Sequence, residues 1–219
     1  MSSVPASEIT PGAILLEPAT SYRMQAIRRG NANGIPASIS CLTLTADAEY
    51  VFGIRGGNVM RDAACIAPAG AIPYTDSPLY DGLWQEMIEE LGIRSDELDN
   101  VLLYGWQTDP ELTKGVNFVF HANAGRSSAQ VQELHREAFD VYQREKLKGA
   151  PEAEARRAIR TAGYPNTDAW EHTAIVFIKP EYIPKIINER HVYHEGRNYQ
   201  LLDIGRTPLI MHSVLESKK

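Results

Sequence analysis

The sequence predicts an α+β fold, and three observations predict it. Strand-like runs outnumber helical ones before residue 125, strands and helices mix after it, and a helical pair over 127–163 interrupts the strand series. A regular strand–helix alternation, the mark of an all-parallel sheet, is not what the chain offers. Its 219 residues suit one large domain or one domain with an insertion. The chain therefore reads as a single domain over 1–219, with an N-terminal extension (1–35) and a helical insertion (126–165).

The elements follow in order. Residues 1–20 are rich in Pro, Ser and Ala and read as a loose surface segment. PASISCLTLT (36–45) and YVFGIRG (50–56) are strand-like, and the polar ADAE between them predicts a hairpin. Gly and three prolines make 58–78 irregular. Leu83, Met87 and Leu91 recur every four residues with Ile88 beside them, so 80–91 reads as helix. Strands over 99–108 and 115–124 are split by the polar turn DPELTK. An amphipathic helix covers 127–149, with Ser127 or Ser128 as its N-cap and Gly149 as its stop. Pro151 opens a second helix that Gly163 ends. TAIVFIK (173–179) is apolar throughout and reads as a buried strand. A short helix or turn over 180–188 follows, and a helix near 208–217 closes the chain.

Composition narrows the function classes. Apolar residues make up 43% and charged residues 23%, ordinary for a globular protein. A net charge of −6 argues against nonspecific binding to nucleic acid or to an anionic membrane, both of which call for a basic face. It does not exclude a small phosphorylated substrate, because a metal ion can supply the positive charge. No apolar run approaches about 18 residues, and the N-terminus lacks the basic start and apolar core of a signal peptide. Cys41 and Cys65 lie among apolar or small residues and read as free thiols in a reducing cytosol.

QEMIEELGI (85–93) carries the chemistry. On a helix Glu86, Glu89 and Glu90 share one face, opposite Leu83, Met87 and Leu91. Like charges at this spacing repel, and an interleaved lysine is the usual relief. Between Asp62 and Ile93 there is no Lys or Arg, while Asp62, Asp76, Asp81 and the three glutamates supply six acids. Either this is a solvated charged face or a divalent cation resolves the conflict. Three carboxylates make a hard oxygen site, which suits Mg²⁺ or Mn²⁺ better than zinc.

The same stretch resembles the second half of the Nudix box: Arg-Glu-apolar-any-Glu-Glu-any-Gly-apolar. Eight of nine specifications are met, with Gln85 where the family has Arg. In the first half, five residues separate Gly70 from Asp76, an acid though not the family's Glu, and eight rather than seven separate Asp76 from Gln85. APAGAIP is similar to the Pro-Gly-Gly that leads into the box, and the resemblance covers roughly 36–125. The relaxed spacing is similar to that of a branch that includes UDP-sugar hydrolases.

The resemblance implies a Nudix-type α/β/α sandwich with a mixed sheet. It also implies a Mg²⁺-dependent hydrolase cleaving the diphosphate of a nucleoside diphosphate linked to another group, such as UDP-glucose or ADP-ribose. Glu86, Glu89 and Glu90 become the metal ligands, with Glu89 and Glu90 principal. Gln85 and Asp76 take the orienting positions, and Gln85 brings a hydrogen bond but no charge. Gly70 lies at the substrate, and Arg55, at the end of the hairpin, is set to reach a phosphate. A further acid often comes from downstream, and Glu171 is the first candidate, ahead of Glu111. A homodimer is implied, with helix 127–149 as its interface. Gln85 and the inserted residue keep open a nucleotide-binding or regulatory protein without turnover, and a hydrolase of non-nucleotide diphosphates is a third reading.

Other residues read as structural. GGN (56–58) lacks the Lys-Ser/Thr of a P-loop and is a turn. His121 alternates within a strand, His191 and His194 lie on a polar segment, and Trp84, Trp106 and Trp170 default to packing.

Overall fold

The computed structural model describes residues 2–4, 17–18, 35–56, 60–109 and 115–217. The strands are β1 (Ser2–Val4), β2 (Glu17–Pro18), β3 (Ile35–Leu44), β4 (Tyr50–Arg55), β5 (Ala64–Ile66), β6 (Ala69–Ala71), β7 (Leu98–Asp109), β8 (Gly115–Ala124), β9 (His172–Ile178), β10 (His191–His194) and β11 (Arg197–Gln200). The helices are α1 (Pro78–Leu91), α2 (Ser128–Leu147), α3 (Glu152–Thr161), α4 (Ile183–Glu189) and α5 (Asp203–Glu216).

The expected α+β class and mixed sheet are present. β3 runs parallel to β8 from Ala37↔Val116 to Leu44↔Asn123. β7 on β8, β6 on β3, and β5 and β9 on β4 are antiparallel. Side chains along a strand alternate between faces, and this alternation divides the core. Ile39, Cys41, Val51 and Ile175 pack with Leu83, Met87 and Leu91 of α1 and Val131 of α2. Leu42, Phe52, Ile54 and Val176 pack with Ile183 and Ile186 of α4 and Leu209 of α5. Helices therefore cover both faces of the sheet. Cys41 and Cys65 are buried free thiols, each pushed up to about 12 by burial.

Three local readings change. The hairpin over 36–56 pairs only at its tip, Leu44↔Tyr50. Beyond it the strands diverge, β3 taking β6 as partner and β4 taking β5. The segment read as irregular thus contains two three-residue strands, too short to show periodicity. The final helix begins at Asp203, with Pro208 inside it. Proline lacks the N–H that would bond the carbonyl four residues back. That carbonyl, of Ile204, instead accepts from Gln107 Nε2 at 3.2 Å. The turn at 110–114, which includes Glu111, and most of 1–35 lie outside the described residues.

α2 and α3 form the expected helical pair between β8 and β9. Ser127 caps α2 through a capping box with Gln130. Val131, His135 and Ala138 of α2 are buried within the chain. Exposed large apolar side chains include Leu147 at the end of α2, Leu102, Leu103 and Trp106 of β7, and Ile210, Val214 and Leu215 of α5. Among the described residues no helix is long and apolar enough to cross a membrane.

Candidate active site

α1 starts with Pro78 in its first turn and ends at Gly92, whose φ of 70° is easiest for glycine. Leu83, Met87 and Leu91 anchor it to the sheet. That face fixes the rotation of the helix and so the direction of its glutamates.

The three glutamates meet different surroundings. Glu90 is 2% exposed. Its carboxylate accepts from the Ala69 backbone N–H at 3.2 Å and from His172 Nε2 at 2.9 Å. His172 fits because Gly53 leaves a notch: a Cβ there would lie 2.3 Å from His172 Nδ1. Glu86 is half-buried against Gly70, where a Cβ would come within 1.9 Å of the carboxyl carbon. Burial first, then the charges of Glu90, Glu171, Glu89 and Asp168, push Glu86 up to about 9. Glu89 sits at the flank and accepts from Gln85 Nε2 at 3.2 Å. It is raised by burial, with Gln85 and the cation of Arg160 opposing.

Across the cleft stands Glu171, at the end of the turn that enters β9. Burial and then Glu90 raise it to about 7, while His172 and Arg55 pull the other way. Arg55 Nη2 lies 3.7 Å from Glu171 Oε2. The Gly56 N–H donates to the Glu171 carbonyl at 2.8 Å and ties the two strand ends together. A cleft of about 560 Å³ opens between them, lined among others by Arg55, Gly70, Glu86, Asp168 and Glu171. The Asp168 N–H in turn donates to the Glu89 carbonyl at 2.7 Å.

Of the residues singled out in the sequence, Arg55, Gly70, Glu86 and Glu171 line this one cleft. Glu90 lies beneath it and Glu89 beside it. Asp76 is exposed in the loop before α1, and no hydrogen bond joins it to Gln85, which is spent on Glu89. Sequence reasoning missed His172, Asp168 and Arg160, which reach the acids only through the tertiary fold. The charge isolation seen between 62 and 93 is therefore partial: Arg55, Arg160 and His172 supply what the local sequence lacks. The remaining candidates are structural. Trp170 lies under the Arg156 guanidinium at 3.3 Å, Trp84 packs beside Tyr80, and His121 stacks between Tyr104 and His212.

Among the described residues no three His, Cys, Asp or Glu side chains form a ready-made metal site. Glu90 is turned to His172, Glu89 to Gln85 and Glu86 to Gly70. The donor set nevertheless fits a divalent cation. It is all carboxylate oxygen, and both the burial and the mutual repulsion that raise Glu86 and Glu171 are relieved by a cation.

No protein-family model and no curated protein matches the chain in sequence. Solved structures do match. A Methanosarcina mazei MutT protein is 16% identical, covering 84% of this chain and 96% of its own, with a TM-score of 0.48. A Nudix hydrolase from Nitrosomonas europaea is 13% identical over 99% of this chain and 87% of its own, with a TM-score of 0.45. A Deinococcus radiodurans protein is 10% identical over 97% of both chains, with a TM-score of 0.46.

Proposed function

We propose that the chain is a Mg²⁺- or Mn²⁺-dependent hydrolase that cleaves the diphosphate of a nucleoside diphosphate linked to another group, with nucleotide sugars and ADP-ribose the first substrates to try. One observation carries the reading. Gly70 and Glu86, from the two halves of the box, meet face to face, with Glu90 buried beneath and Glu171 across the same cleft. A surface charge run has no reason to be built this way.

Glu86, Glu89 and Glu90 would hold the cation. When bound, it neutralises the diphosphate and polarises its phosphoryl oxygens. Glu171 is held near neutrality and takes the proton of the attacking water, since a base works best with a pKa near the operating pH. Arg55 steadies Glu171 and offers the cleft a fixed positive charge that meets a phosphate oxygen. Gly70 keeps the floor open for Glu86. His172 and the Ala69 N–H hold Glu90 in one orientation. The α2–α3 pair is read as an insertion beside this cleft, and homodimerisation belongs to the same proposal, for sedimentation to decide.

A diphosphate panel with Mg²⁺ or Mn²⁺, run on the wild type and on Glu89→Gln, tests this. Turnover in the wild type and its collapse in Glu89→Gln is the expected result. Full-rate turnover in Glu89→Gln removes the metal assignment. Ligand binding without turnover on any member favours a binding or regulatory protein, the reading that Gln85 keeps open.

A further inference from the structure

α3 has a charge pattern the proposed reaction does not use. Ala155 and Ile159 bury its inner side, which turns Arg156, Arg157 and Arg160 outward. Arg156 is committed: its Nε is 3.0 Å from Glu152 Oε1, and its guanidinium stacks on Trp170. Arg157 and Arg160, one turn apart, are exposed and make no ion pair with a described residue. Both line an open depression of about 990 Å³ together with Arg156, Thr167 and the acids Glu152, Glu154 and Asp168, of which Glu152 is paired with Arg156. Asp168 also lines the cleft of Glu86 and Glu171, so the two hollows meet at one residue. Asp168 is fixed there, accepting from Trp170 Nε1 at 3.1 Å and donating its backbone N–H to α1. The charge of Arg160 reaches Glu89 on α1.

We infer that Arg157 and Arg160 form a second anion subsite, which receives a phosphomonoester carried by the substrate in addition to the diphosphate that is cleaved. The inference rests on the hydrolase reading for the placement of the diphosphate. Two exposed guanidinium groups match a doubly charged phosphate better than a single carboxylate, and arginine's fork gives paired hydrogen bonds to phosphate oxygens. A nucleobase is a poorer occupant, because Arg156 already covers the Trp170 ring. The substrate class narrows to nucleoside diphosphate derivatives with an extra phosphate on a sugar hydroxyl.

The matched pair ADP-ribose and ADP-ribose 2′-phosphate tests this, by calorimetry and by turnover with Mg²⁺, on the wild type, Arg157→Ala, Arg160→Ala and the double variant. The wild type should bind the phosphorylated member about tenfold more tightly. Arg157→Ala should lose most of that preference while its affinity for ADP-ribose holds, the double variant should lose the rest, and raised salt should shrink the preference. Equal binding of the pair by the wild type, binding of neither, or equal weakening of both by the variants overturns the subsite. Turnover is scored separately. A calorimetric preference that depends on the arginines, without turnover of either member, supports the subsite and removes the hydrolase reading.

Discussion

α1 and α3 each carry three like charges within five positions, and they handle the repulsion in opposite ways. On α3 the arginines stay in water, where like charges a turn apart cost only a few tenths of a kcal/mol. On α1 the glutamates are drawn toward the sheet, where water no longer screens them, and Glu86 keeps its proton up to about 9. The difference shows that a run of like charge becomes a chemical device only when the fold removes its solvent. α3 is a surface that can meet an anion. α1 is a store of repulsion that, in the proposed reading, a cation relieves.

That contrast can be broken at its strongest point by Glu90→Gln. The change keeps one acceptor oxygen, for the Ala69 N–H, turns the other position into an amide donor facing His172 and removes the charge, and turnover should fall on the order of a thousandfold. Arg157→Ala, on the exposed helix, should leave urea-denaturation stability within about 0.5 kcal/mol of the wild type. Gly70→Ala comes next. Its Cβ displaces the Glu86 carboxyl, so kcat/KM should drop about a hundredfold with circular dichroism unchanged.

Glu86→Gln sharpens the comparison through pH. Glu86 holds its proton up to about 9 when folded but only to 4.5 when unfolded. The folded state binds more protons between those values, so without metal the stability falls as pH rises from 4.5 to 9. At pH 8 the Gln variant should melt about 3–6 °C higher in EDTA, and added Mg²⁺ should raise the melting point of the wild type alone. The smallest effect is expected from Gln85→Arg. An ion pair to Glu89 one turn on is worth a few tenths of a kcal/mol, which makes turnover or Mg²⁺ affinity about twofold better. A loss instead would mean that the extra residue before Gln85 has already reset the geometry around the amide.

The parts of this molecule that repeat along the chain were legible in its sequence. The period of Leu83, Met87 and Leu91 gave α1 and the side its glutamates take, and the composite spacing from Gly70 to Ile93 brought both halves of the site into view. Glu171 was visible as an acid at a strand start. What stayed hidden depends on contacts between distant residues. His172 reaches Glu90 from 82 positions away, and nothing near either residue announces the other. Arg160 belongs to a helix whose position beside Glu89 is set by tertiary packing. The divergence of β3 and β4 was hidden because β5 and β6 are too short to carry a period, and the start of α5 at Asp203 because Gln107 lets a helix run through Pro208.

The α2–α3 hairpin is clamped at both feet. At its start Asp47 accepts from Ser128 N at 2.8 Å, and Arg126 pairs with Glu97 at 2.9 Å. At its return the Asp168 amide is bonded to the α1 carbonyl of Glu89. A segment pinned this way can lengthen, shorten or change its outer face between the pins while the acids of α1 stay where they are, since added loop length costs little. In engineering terms its outer face is a cassette: exposed positions there can be exchanged, whereas Val131, His135 and Arg160 belong to the packing and charge around the acids.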